Sequence, residues 1–428
     1  MKLAIFICAH DGISCHYSGV GTATSGYIKA IPTLRQWLQQ DGVTVKCYCI
    51  TNKYLSSIYS YNEQLVTDNT RICRDTGGDV LFCLNNSNGL YQYGDISSWV
   101  AASASAATLI DNILSAELFD RVVVLGVDTP FAFTPIYLGK QLFQPSLKYQ
   151  GVWIPHSTSL IHERGNFDTK RLAWEMQAVH EINSSDNLYI SYLNSYMYDH
   201  MQIEYGTHKD KLIPLLNGIY LPSVPYFSHS EIMSTLEEHN IPTDKPIIFS
   251  FGRGALYKGF DVYLNALRYL QDLPVHFILQ VAFYSQNDPL LSYLKELAAP
   301  LSNISVLFQL SYILPRQIMQ WKNTELVAVL SRNEPGAFIP AEIRIYGQAI
   351  ALVSDRDGLP CQIENGIDGF ITNIDSPEIV ANKISEIISL DPTRKSLIRA
   401  AGKSRVLTEY DIVKNFSQGI TALLNRLG

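Results

Sequence analysis

Ile247-Ile248-Phe249-Ser250-Phe251-Gly252-Arg253-Gly254-Ala255-Leu256-Tyr257-Lys258-Gly259-Phe260-Asp261 reads as a buried strand, a glycine turn and the start of a helix. A short apolar run closed by glycine fits a strand covered on both faces. Glycines let the backbone approach an anion closely, and the helix that follows offers free N–H groups and its positive dipole end. Arg253 and Lys258 add two cations at the same place. A unit charge pair at 4 Å is worth roughly 4 kcal/mol at an effective dielectric of 20, enough to matter for holding a diphosphate or stabilising a departing one. The alternative is a strand-ending turn with two solvated cations. The spacing is not that of the dinucleotide fingerprint, and Gly19-Val20-Gly21 fails it too, which argues against a nicotinamide or flavin enzyme.

The same alternation extends in both directions. Leu3–Cys8, Val43–Ile50, Val80–Leu84, Val122–Val127 and Gly151–Ile154 are strand candidates, with helix-length segments such as Tyr27–Gln40 and Ser97–Leu114 between them. A second series comprises Ile247–Phe251, Phe277–Val281, Ile304–Phe308, Leu326–Leu330 and Ile350–Val353. Tyr220–Pro246 holds four prolines and reads as a linker with one short helix. The expected class is α/β, with two doubly wound, Rossmann-like domains. The expected division is residues 1–220, a linker over 221–245, a second domain over 246–405, and a C-terminal segment 406–428. Helical spacing at Ile412, Phe416, Ile420 and Leu423 predicts that Tyr410–Leu427 forms a helix packing back on the fold.

Composition supports this and excludes other classes. The 428 residues are 47% hydrophobic and 17% charged, which suits two packed cores and not a disordered chain. A net charge of −7 argues against a nucleic-acid binder and disfavours docking on an anionic bilayer. No apolar stretch reaches the ~18 residues of a spanning helix, and Leu3–Ala9 reads as a buried first strand, not a signal sequence. The seven cysteines include no Cys-x-x-Cys pair and are expected to act as small apolar residues of a cytoplasmic protein.

After the strand Leu326–Leu330 comes Ser331-Arg332-Asn333-Glu334-Pro335-Gly336-Ala337-Phe338-Ile339-Pro340-Ala341-Glu342. Glu334 falls in a strand-end loop and Glu342 in the opening turn of a helix begun near Pro340. Two such carboxylates can accept hydrogen bonds from sugar or ribose hydroxyls. The equally spaced Glu378 and Glu386 lack the glycine loop and read as solvated surface.

The order Gly252-Arg253…Lys258-Gly259, Glu334…Glu342 and Ser354-Asp355-Arg356-Asp357-Gly358-Leu359-Pro360 resembles the C-terminal domain of family-4 retaining glycosyltransferases of GT-B fold. Upstream, Asn217-Gly218-Ile219, Ser191, Val152-Trp153-Ile154-Pro155-His156 and Gly19-Val20-Gly21 resemble the N-terminal half of the same family. The resemblance implies two domains facing a central cleft. It implies that Arg253 and Lys258 bind a donor diphosphate, Glu334 contacts the transferred sugar, and Glu342 holds ribose hydroxyls. It also implies that Gly252 and the amides of Gly336, Ala337 and Phe338 line the donor site, that His156 reaches the donor sugar, and that Gly19, Val20 and Gly21 close over the diphosphate. Pro335, Arg344 and Cys361 depart from the family pattern.

The expected reaction transfers a hexose-type sugar from a nucleoside diphosphate sugar, with UDP the first choice, to an acceptor hydroxyl on a small molecule or glycan, with the anomeric configuration kept. No carboxylate in these motifs is placed as a nucleophile, so attack from the leaving-group face is favoured; the resemblance implies that a donor phosphate oxygen helps to take the acceptor's proton. No cofactor or metal is expected. A sugar-nucleotide epimerase and a non-catalytic sugar-nucleotide binder are the alternatives. His156 ends a buried strand, where α/β proteins place ligand groups. His10, Asp11 and His16 are candidates to touch an acceptor, with a plain turn role as the alternative. His162, His180, His200 and His208 have no metal spacing. Tyr192, Tyr196 and Tyr198 could line a sugar groove or simply pack.

Overall fold

The computed structural model describes residues 1–54, 56, 61–85, 95–142, 147–164, 169–283, 285 and 287–426. The chain divides into two compact units, Met1–Tyr220 with Asp411–Gly428, and Leu221–Tyr410.

The first unit contains β1 (Lys2–Cys8), β2 (Thr44–Asn52), β3 (Val80–Cys83), β4 (Arg121–Val127), β5 (Lys148–Ile154), β6 (Leu188–Tyr192) and β7 (Leu212–Pro214). They form one parallel sheet in the order β3-β2-β1-β4-β5-β6-β7. Leu3 to Cys8 of β1 are wholly buried because helices cover both faces, which is why the strand reads as an unbroken apolar run. The order reverses between β1 and β4, so the carboxyl ends of those strands frame the crevice where open α/β sheets bind ligands.

Local expectations change here. The helix expected from Tyr27 spans Gly19–Gln40, with Ser18 as N-cap accepting from the Val20 amide. Gly19-Val20-Gly21 is therefore the first turn of a helix, not a free loop. The C-terminal helix spans Ile412–Asn425 and belongs to the first unit; Leu427 of the expected range lies outside the described residues. Phe416 stacks on Tyr27 with ring centroids 5.1 Å apart. Arg121 Nη1 and Gln150 Nε2 donate to the last-turn carbonyls of Leu424 and Leu423 at 2.6 and 2.7 Å, satisfying acceptors that a helix end leaves open. The boundary falls at Tyr410/Asp411, not at 405/406, because the preceding helix runs unbroken over Pro392–Glu409 and Asp411 then caps the next one.

The second unit contains β8 (Ile247–Arg253), β9 (His276–Ala282), β10 (Ile304–Leu307), β11 (Thr324–Val329), β12 (Ile350–Ser354) and β13 (Phe370–Thr372), parallel in the order β10-β9-β8-β11-β12-β13. Its reversal lies between β8 and β11. The stretch expected as a linker, 221–245, is part of this unit. Its helix His229–Glu238 carries a Ser228/Glu231 capping box, buries Ile232 and Leu236, and stacks His229 on Trp321 at 5.1 Å. Arg344, a departure from the family pattern, is a buried structural cation. Its Nη1 pairs with Asp368 Oδ2 at 2.8 Å, its Nε donates to the Pro340 carbonyl at 3.0 Å, and its guanidinium lies over the Tyr410 ring.

Phe416→Ala removes a fully buried ring from the contact between the first and last helices of the first unit. The expected cost is about 3–5 kcal/mol, read by urea unfolding followed through that unit's tryptophan fluorescence.

Candidate functional site

The anion-binding candidate lies beside the strand reversal of the second sheet. β8 runs through Gly252 to Arg253, and a short turn over Leu256–Lys258 leads to Gly259 at φ +72°. A Cβ at 259 would lie 2.0 Å from the Leu330 carbonyl oxygen just beyond β11, so only glycine lets the turn close on the neighbouring strand. That approach sets Lys258 against Glu334, and the ammonium and Oε2 form an ion pair. Burial alone would lower the Lys258 pKa. Glu334 and Tyr257 outweigh it and hold the pKa above the ordinary lysine value, so the ammonium keeps its charge.

A second pair ties the same two loops. Arg332 donates bidentately to Asp261 at 2.8 and 2.7 Å, and also to the Leu256 carbonyl at 2.9 Å. The Arg332 amide donates to the Tyr257 carbonyl at 2.7 Å. A third loop secures Glu334 from behind: its amide donates to Asp357 Oδ2 at 3.0 Å, and its carbonyl accepts from Gly358 at 2.9 Å. The Lys258–Glu334 pair is thus braced from two sides.

The other expected residues of this unit are arranged around separate partners. Arg253 is exposed and donates to the Tyr257 hydroxyl at 2.6 Å. Glu342 sits in the first turn of the helix Ile339–Tyr346 and pairs with Arg316 at 2.9 Å. Gly336, Ala337 and Phe338 form the half-buried approach to that helix. Sequence reasoning found both glutamates but missed Arg332, Asp261 and Arg316. The available signal was charge: Asp261 follows Gly259 by two residues, and Arg332 precedes Glu334 by two.

A second polar locus lies in the first unit, at the carboxyl ends of β1, β4 and β5. His10 follows β1, Asp128 follows β4 and His156 follows β5; all three are buried. His10 Nε2 stands 3.9 Å from Asp128 Oδ2, and His156 Nε2 stands 3.5 Å from the Tyr27 hydroxyl. Burial pushes His156 down to about 4. Burial, reinforced by His156, pushes His10 down to about 3. Both imidazoles are therefore neutral near pH 7. Burial raises the Asp128 carboxyl to about 6. Asp128 also holds φ +62°, a conformation that costs a non-glycine residue about 1–3 kcal/mol. The sequence did not disclose this strain at the strand end.

Asp11 accounts for the glycine at 21. Its carboxylate accepts from the Ser18 hydroxyl at 2.7 Å, the Gly21 amide at 3.0 Å and the Tyr17 amide at 3.2 Å. A Cβ on Gly21 would lie 2.4 Å from Asp11 Oδ1. The glycine turn expected to close over the diphosphate thus already holds an internal carboxylate. Burial raises that carboxyl to about 7, against the opposing pull of these hydrogen bonds. Tyr192, Tyr196 and Tyr198 pack against the core, Tyr192 edge-on to Tyr198 at 5.0 Å. His200 shares a 2.8 Å hydrogen bond with Thr158.

Superposed on a glycosyltransferase from Rickettsia africae ESF-5, 100% of this chain aligns with 99% of that one, with a TM-score of 0.70 and 15% identity. The chain has the GT-B fold. Its likeness extends to sucrose-phosphate synthase from Thermosynechococcus elongatus, at TM-score 0.72 and 14% identity over 99% of this chain and 98% of that one. It extends also to Anabaena HepE in complex with UDP-glucose, at TM-score 0.68 and 16% identity over 99% of each chain. Within this GT-B chain, residues 233–404 match the family model Glycosyl transferases group 1, a segment that contains Arg253, Lys258, Glu334 and Glu342. Comparison with curated proteins gives no sequence match.

The buried histidines give a pH signature with a definite sign. His10 stays uncharged in the fold down to about pH 3 but takes a proton near 6.5 when unfolded, so it opposes folding increasingly as pH falls through that window. His10→Gln removes the term. The stability of the wild type minus that of the variant should be lower at pH 4.5 than at pH 7.5 by about 2 kcal/mol, measured by urea unfolding at both pH values.

Proposed function

We propose that the protein is a retaining glycosyltransferase that moves a hexose-type sugar from a UDP-sugar to an acceptor hydroxyl. The observation that carries this reading is the braced Lys258–Glu334 pair at the strand reversal of the second sheet, inside the segment that matches the group 1 glycosyltransferases. Anabaena HepE, which shares the fold, is described in complex with UDP-glucose, and this favours a uridine nucleotide donor.

In this reading the donor diphosphate draws the Lys258 ammonium away from Glu334 and meets Arg253 beside it. The carboxylate released from Lys258 then accepts hydrogen bonds from the transferred sugar, and Glu342 from the ribose. The bond from the anomeric carbon to the diphosphate breaks with its electron pair leaving on the phosphate oxygen, where the two cations stabilise it. The acceptor oxygen bonds to the same carbon from the same face and gives its proton to a donor phosphate oxygen. Both glutamates are engaged by cations, Glu334 by Lys258 and Glu342 by Arg316, which favours this course over a covalent glycosyl-enzyme. In the first unit, the uncharged His156 and the buried Asp128 can offer hydrogen bonds to acceptor hydroxyls.

Incubation with UDP-glucose and a panel of hydroxyl acceptors, followed by NMR of the product's anomeric proton, tests the reading. A retained configuration is expected. An inverted product contradicts the same-face course, and an epimerised sugar formed without acceptor favours an epimerase. Glu334→Gln should lower kcat by about 10²–10³-fold with an unchanged circular dichroism spectrum. Near-normal turnover would remove Glu334 from the site.

A further inference from the structure

Cys47 and Cys49 are two residues apart on β2 and so project from the same face of the sheet. Cys73, in the last turn of the helix Glu63–Asp75, comes down on that face between them. The three sulfur atoms all lie within 4.8 Å of one another, and Cys73 Sγ approaches Cys49 Sγ to 3.4 Å. All three side chains are fully buried, and none forms a disulfide. The turn after Cys73 fixes this arrangement. The Thr76 hydroxyl accepts from the Cys47 amide at 2.8 Å and donates to the Cys73 carbonyl at 2.7 Å. Gly78 packs so closely that a Cβ there would lie 1.8 Å from the Cys47 carbonyl oxygen.

We propose that Cys47, Cys49 and Cys73 form a three-coordinate binding site for a soft monovalent cation, copper(I). Three sulfurs bound at about 2.3 Å to a central ion stand about 4 Å apart, so small shifts of these side chains close the triangle. Thiolates select soft ions. Among the described residues no histidine or carboxylate joins the group, and full burial leaves no place for a fourth ligand from solvent. Zinc requires four ligands in a closed site, whereas copper(I) is satisfied by three. On binding, copper–sulfur bonds replace S–H bonds and the protons pass to solvent. The site is independent of the sugar chemistry.

Anaerobic titration of the reduced full-length protein with copper(I), in competition with a chromophoric chelator, tests the proposal. The wild type and Cys361→Ser should take up one equivalent. Cys47→Ser and Cys73→Ser should each weaken uptake at least about a hundredfold. X-ray absorption on the copper-loaded wild type should show three sulfurs at about 2.3 Å, a readout that does not depend on any variant folding. Uptake equal in the wild type and Cys73→Ser, a two-sulfur coordination sphere, or displacement of copper(I) by equimolar zinc would each overturn it.

Discussion

The Leu330 carbonyl leaves no room for a side chain at position 259, and this steric constraint decides where Lys258 goes. With glycine there, the turn after β8 folds down onto the end of β11, and a cation meets a carboxylate across the strand reversal. The Arg332–Asp261 fork and the Arg332 amide then hold the two loops in register. Removing one partner of a largely buried ion pair typically costs several kcal/mol. On the proposed reading, an incoming diphosphate would repay that cost by taking over the ammonium.

The first unit solves a different problem with the same sheet geometry. Its strand ends bring together two imidazoles that burial keeps neutral, His10 and His156, and a strained Asp128 whose carboxyl burial raises to about 6. Neutral groups suit hydroxyl recognition better than phosphate binding. The helix start at Gly19–Gly21 is filled by Asp11.

Much of this was legible in the residues. Fully buried parallel strands appear as apolar runs, so β1, β4, β8 and β12 could be placed within a residue or two. β7 and β13, each of three residues, are too short for periodicity to register. The segment 221–245 misled because its prolines suggest a linker, while Ile232 and Leu236 alone reveal that its helix is docked. Glu334 and Glu342 were found through spacing and resemblance. Arg332, Asp261 and Asp128 were not, because their roles arise only when loops distant in sequence meet. The cysteine triad escaped for the same reason, since Cys-x-Cys on a strand needs its third member from a helix 24 residues beyond Cys49.

The central claim is that the Lys258 ammonium leaves Glu334 for a nucleotide diphosphate. Calorimetric titration of UDP into the wild type and into Lys258→Met, at low ionic strength, tests it most directly. The account predicts that the wild type binds and that the folded variant loses at least about tenfold in affinity, the equivalent of 1.4 kcal/mol. Equal affinity in the two proteins would contradict it.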